Sequence, residues 1–115
     1  MASVSINYVE LPATNIAATK KFFSEAFDWR FVDYGPDYAS FLGAGLDGGF
    51  YTSELSATTA QGSVLVVLYS PKLEQAQQSV EEAGGTVIKP IFEFPGGRRF
   101  HFTCPSGNEY AVWSE

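Results

Sequence analysis

The predicted elements of this chain run strand, helix, three strands and then strand, helix, three strands again, with a period of about 55 residues. The repeat lies in the order of elements, not in matched letters. In the first unit, residues 4–11 alternate as a strand with Tyr8 and Glu10 on one face, Val9 and Leu11 on the other, and Pro12 at its end. A helix follows, capped by Thr14 or Asn15, with Ile16, Phe23 and Phe27 near one stripe and Ala26 beside them. Strands are expected over 29–34 and 38–42 around the turn Gly35-Pro36-Asp37. A glycine-rich connection over 43–49 leads into a third at Phe50-Tyr51-Thr52.

The second unit begins after a polar loop over 53–62. Its opening run, 63–69, reads Ser-Val-Leu-Val-Val-Leu-Tyr, an almost unbroken apolar stretch that predicts a central strand covered on both faces. Ser70 can cap the next helix and Pro71 suits its first turn, with Leu73, Ala76, Gln77, Val80 and Ala83 as the buried stripe. Gly84-Gly85 closes it with a left-handed cap, and 86–91 is the next strand. One such unit cannot bury a sheet face alone, so the two must pair, within one chain or across a dimer. The expectation is one α+β domain over 1–115, with one module at about 1–55 and the other at about 62–115.

Residues 95–113 hold the densest chemistry. They read as loop, strand, tight turn, strand, with Arg99, His101 and Thr103 on one face and Arg98, Phe100 and Phe102 on the other. Pro105 to Asn108 supply the turn, and the returning strand carries Glu109, Ala111 and Trp113 on one face. The single histidine of the chain thus sits mid-strand beside an arginine, facing a strand that carries a glutamate.

Composition narrows the class of function. A length of 115 residues is one domain, and 45% hydrophobic residues with 16% aromatics exclude a disordered tail. No apolar run approaches the ~20 residues of a membrane span. The formal charge of −6, with no stripe among the seven lysines and arginines, argues against nucleic acid. One cysteine, Cys104, and no basic-then-apolar leader in the sequence point to a cytoplasmic location.

The chain resembles the vicinal-oxygen-chelate superfamily, which includes glyoxalase I, bleomycin-resistance proteins, extradiol dioxygenases and fosfomycin-resistance enzymes. The resemblance rests on Val-Glu-Glu-Ala-Gly-Gly-Thr-Val-Ile-Lys-Pro (80–90), the closing hairpin through Trp113, and the opening Asn-Tyr-Val-Glu-Leu-Pro-Ala-Thr-Asn-Ile with Phe22-Phe23 following. It implies two βαβββ modules forming a cup-shaped mixed sheet with helices on the convex side, a small organic ligand in the cup, and a homodimer. By the same resemblance, the family's metal ligands fall on Tyr8, Gly49, Leu65 and Ala111. Three of these have no side-chain donor and a lone phenol is a poor ligand for zinc, nickel or manganese, so no cofactor is expected. The remaining arithmetic route to a divalent metal is convergence of Glu10, His101 and Glu109.

His101 matches in strand position a ligand-contacting tyrosine of the fosfomycin-resistance enzymes, and its chemistry suits a general acid or base. Alternatively it hydrogen-bonds a glutamate or tyrosine within a wet cup. Arg99 suits an anionic ligand group, or an ion pair with Glu10 or Glu109. Tyr8, Phe50, Tyr69 and Trp113 are expected as aromatic walls, with Glu10 and Glu109 on the same concave face. Arg98 points the other way, Cys104 is structural, and Pro95-Gly96-Gly97 is a mobile-loop candidate. The expected function is small-molecule binding without the usual metal site. The alternatives are a glyoxalase-like lyase or isomerase acting on a small anionic substrate, in which His101 moves a proton, and an accessory subunit that engages another chain through an open sheet edge.

Overall fold

The computed structural model describes residues 2–115. Its elements repeat as expected: β1 (Tyr8–Ala13), α1 (Ile16–Phe27), β2 (Arg30–Asp33), β3 (Tyr38–Leu42) and β4 (Asp47–Thr52), then β5 (Val66–Tyr69), α2 (Leu73–Glu82), β6 (Thr86–Phe94), β7 (Gly97–Thr103) and β8 (Glu109–Ser114). The class is α+β, and the strands form two four-stranded mixed sheets, ordered β1-β4-β3-β2 and β5-β8-β7-β6. In each sheet one parallel pair, β1 with β4 or β5 with β8, joins an antiparallel remainder.

Two strand expectations are corrected by this topology. Pro12 lies inside β1 instead of ending it, because β1 is an edge strand and a residue without an N–H is tolerated there. The apolar run at 63–69 yields a short edge strand, not a central one, with Val67 45% and Tyr69 51% exposed. An apolar run satisfies either a doubly covered strand or an uncovered edge, and periodicity does not separate them. Pro95-Gly96 is likewise a two-residue turn between paired Phe94 and Gly97, not a mobile loop.

Both sheets turn one face toward a single core, and α1 joins them. Asn15 caps α1 through its side chain, accepting from the Ala18 N–H at 3.0 Å. Phe23 stacks on Trp29 at 4.4 Å and on Phe50 at 5.8 Å, and meets Tyr110 of the second sheet edge-on at 5.2 Å. Phe22, outside the expected stripe, is also buried and packs on Phe102 of β7 at 5.8 Å. A buried phenylalanine of this kind stabilises a fold by about 3–5 kcal/mol relative to alanine. α2 packs its Leu73, Ala76 and Val80 into the same core.

The turn between β7 and β8 fastens the remaining chain to this core. Gly107 takes φ +83°, and its N–H donates to the Cys104 carbonyl at 2.8 Å. Ser106 Oγ bonds Thr19 Oγ1 at 2.6 Å, and Asn108 Nδ2 donates to the Pro12 carbonyl at 2.6 Å. The Ala57 N–H donates to Asn108 Oδ1 at 2.8 Å, so the loop after β4 is pinned against the start of β8. Cys104 is buried near the Tyr110 hydroxyl, and burial pushes its thiol up from the ordinary value, in keeping with a structural role. Among the described residues no helix is long and apolar enough to cross a membrane.

Candidate functional site

Since both sheets face one core, their opposite faces point outward, and most of the residues singled out in the sequence lie there. On the second sheet Arg99 pairs with Trp113, His101 with Ala111 and Thr103 with Glu109 across β7 and β8, and β5 sets Val67 beside Ala111 and Tyr69 beside Trp113. Period-two alternation places all of these on one face.

His101 and Glu109 form a sealed pair. His101 is 2% exposed, Glu109 is 5% exposed, and His101 Nδ1 donates to Glu109 Oε2 at 2.8 Å. The other carboxylate oxygen accepts from the Thr59 N–H at 2.9 Å and from Thr59 Oγ1 at 2.8 Å. Burial alone would raise the Glu109 carboxyl. The bonds from His101 and Thr59 outweigh it and hold the group down at about 2. Glu109 is therefore an anion at neutral pH, which fixes the proton on His101 Nδ1 and leaves Nε2 facing away. That Nε2 is buried and has no hydrogen-bond partner among the described residues.

Arg99 finds neither Glu10 nor Glu109. Its guanidinium stands 5.4 Å from the centroid of Phe92 and 5.3 Å from that of Phe94, and its Nε is buried without a hydrogen-bond partner among the described residues. Trp113 closes the corner, 5.1 Å from Tyr69 and 6.3 Å from Phe94. Arg98 takes the opposite face and pairs with Glu74 of α2 at 2.6 Å.

The first sheet presents a different surface. Tyr8 Oη and Tyr38 Oη are 2.6 Å apart, and Tyr38 donates to Glu10 Oε2 at 2.9 Å. Burial, then the bonds to Tyr8 and Glu10, push the Tyr38 phenol far above its ordinary range, so it stays protonated. Gly49 makes this possible, since a Cβ there would collide with the Tyr38 ring. An open cavity of about 390 Å³ lies alongside, lined by Tyr8, Tyr34, Tyr38 and Asp47.

Phe50 is a correction. It is fully buried among Phe23, Phe31 and Phe41, because alternation along β4 gives the outward face to Gly49 and Tyr51. Tyr8, Glu10 and Tyr69 are exposed, whereas Glu109 is enclosed. Glu10 is not brought to the His101–Glu109 pair, and no group of three potential metal-ligating side chains assembles among the described residues. Sequence reasoning missed Tyr38 and Thr59. Gly49, which leaves room for the diagonal Tyr38 ring, was the available hint for Tyr38, and nothing in the polar loop marked Thr59.

The model of the glyoxalase/bleomycin resistance protein/dioxygenase superfamily matches residues 5–112. The chain belongs to that superfamily. Superfamily folds of known structure are similar over nearly the whole chain. A glyoxalase-related enzyme from Fulvimarina pelagi superposes with a TM-score of 0.80 at 14% identity, covering 96% of this chain and 88% of that one. The fosfomycin resistance protein FosX from Listeria monocytogenes also gives 0.80, at 15% identity over 100% and 95% of the two chains. The bleomycin-binding protein of Streptomyces verticillus, solved with copper(II)-bleomycin, gives 0.72 at 15% identity over 100% and 99%. At these identities the likeness concerns the fold alone. The comparison with curated proteins finds no match.

The resemblance assigns the superfamily's metal ligands to Tyr8, Gly49, Leu65 and Ala111. At the four corresponding positions, Gly49 has no side chain, Leu65 and Ala111 offer hydrocarbon, and the Tyr8 phenol is bonded to Tyr38.

Proposed function

We propose that the protein binds a small organic molecule on the outward faces of its sheets, without the metal its superfamily commonly uses. The observation that carries this reading is the pair of sealed, unpartnered nitrogens, His101 Nε2 and Arg99 Nε, on a face walled by Phe92, Phe94 and Trp113. Native proteins pair most buried polar groups, so two orphans on one face call for a partner from outside the chain. The reading includes a two-fold homodimer, supported by the unpaired edges β1 and β5 with exposed Tyr8, Val67 and Tyr69. It also includes a cytoplasmic location, supported by the lone, unpaired Cys104.

The test is a small-molecule library screened by thermal shift, with hits mapped by amide and ring chemical shifts. Saturable hits that move Arg99, His101, Trp113 or Tyr38 support the reading. Hits that map only to the helix side contradict it.

The His101–Glu109 pair favours a second reading, a glyoxalase-like lyase or isomerase acting on a small anionic substrate. A carboxylate that fixes the proton on Nδ1 leaves Nε2 as the atom able to take a proton from carbon or oxygen and return it, and Arg99 two residues away would hold the anionic group. This reading predicts that His101→Gln lowers kcat by about 100-fold or more with KM nearly unchanged. Unchanged kcat would remove His101 from the chemistry.

A further inference from the structure

The cavity on the first sheet lacks what fills the aromatic corner of the second. On the second sheet Arg99, a side chain of the protein itself, sits over Phe92 and Phe94. On the first sheet Tyr8, Tyr34 and Tyr38 border an open cavity of about 390 Å³ that no lysine or arginine lines. Its size is within the range that encloses a small ligand or a ligand's end group. The carboxylate of Asp47 stands at its wall, and among the described residues that side chain has no ion pair and no hydrogen bond.

The walls are held in place. The hydroxyls of Tyr8 and Tyr38 bond each other, and Tyr38 is anchored in turn on Glu10. The Tyr34 N–H donates to the Tyr38 carbonyl at 2.9 Å across the β2–β3 turn, which brings the two rings to 6.3 Å. Phenol faces carry negative charge density, and among the described residues neither Asp47 nor Glu10 forms an ion pair. An anionic group would be repelled here. A neutral group would gain apolar contact and hydrogen bonds but no charge attraction.

We propose that this cavity receives an organic ammonium group, a protonated amine or quaternary nitrogen, of a small molecule, a proposal that rests on the small-molecule binding proposed above. Aromatic walls favour a cation that is weakly hydrated, because little water must be stripped from it before it meets the rings. Asp47 supplies the opposing charge, and Glu10 fixes the ring geometry through Tyr38.

The test uses the full chain and two probes of one shape: choline, and its neutral carbon isostere 3,3-dimethylbutan-1-ol, each titrated while tyrosine-ring and amide shifts are followed. Choline is expected to give saturable shifts at Tyr8, Tyr34, Tyr38 and Asp47, and the isostere none. Asp47→Asn and Tyr34→Leu, both at exposed positions that leave the core intact, are each expected to weaken choline about fivefold. Equal binding of the isostere in this cavity overturns the ammonium assignment and leaves small-molecule binding standing. Choline shifts confined to Arg99 and its surroundings, or no choline shifts, overturn it as well. Small-molecule binding itself fails only if the library screen finds no ligand on either outward face.

Discussion

Each sheet carries a glutamate on its outward face, and the two live in opposite surroundings. Glu109 is 5% exposed, paired with His101 and clamped by the backbone and hydroxyl of Thr59. Glu10 is exposed and accepts a single phenol hydrogen bond from Tyr38. The covering of Glu109 is supplied by the loop after β4, which the Asn108 side chain and the β7–β8 turn pin down and whose Thr59 bonds the carboxylate. A βαβββ unit therefore sets where an outward residue points, and the segment between units decides whether it is sealed or open. Sealing leaves the second face with a buried His101–Glu109 pair and, among the described residues, two unpartnered nitrogens. Openness leaves the first face a shallow aromatic one.

The largest expected effect separates these two carboxylates directly. Glu109→Ala leaves an imidazole and the Thr59 donors buried without a partner and is expected to cost about 3–5 kcal/mol in denaturant unfolding, while Glu10→Ala changes stability little. Equal losses would break the comparison. The pH response follows from the same site. The Glu109 carboxyl is held at about 2, below its ordinary 4.5. Its stabilisation is therefore fully present above about pH 4.5 and is lost as pH falls toward 2. Wild type should lose more stability over that window than Glu109→Gln, and parallel curves would contradict the clamp.

On the first sheet, Gly49→Ala pushes a methyl into the Tyr38 ring and is expected to cost about 2 kcal/mol and to separate the Tyr8 and Tyr38 hydroxyls. A tyrosine-ring spectrum unchanged by that substitution would mean the ring does not lie on the strand. The smallest effect is at the corner of the second sheet, where Arg99→Gln should cost about 1 kcal/mol by removing the guanidinium from Phe92 and Phe94. A gain in stability there would instead show that Arg99 is held at a cost for the sake of a ligand.

How far the sequence reached also differs between the two faces. Alternation in 98–103 and 109–113 placed Arg99, His101, Glu109 and Trp113 on one face, because a two-residue period needs no tertiary information. It misplaced Phe50, since the strand begins at Asp47 inside a glycine-rich stretch with no apolar pattern to set the register. The repeat of element order was legible from the Asn15 cap, glycines and stripes, whereas α2 begins at Leu73, after Ser70 and Pro71 and without a side-chain cap. The edge position of β5 was not, because an apolar run reads alike whether a neighbour or solvent covers it. Thr59 lay beyond reach for a related reason: its role depends on where a polar loop is tied, and the tie is made by Asn108 and Ser106 some 50 residues away.

The measurement that tests the account most directly is native mass spectrometry of protein purified without chelators, with metal analysis on the same sample. The expected result is no stoichiometric metal and a mass increment, retained or added, from a small organic molecule whose binding Arg99→Gln or His101→Gln weakens. One divalent ion per site, removed by chelator together with ligand binding, would contradict it.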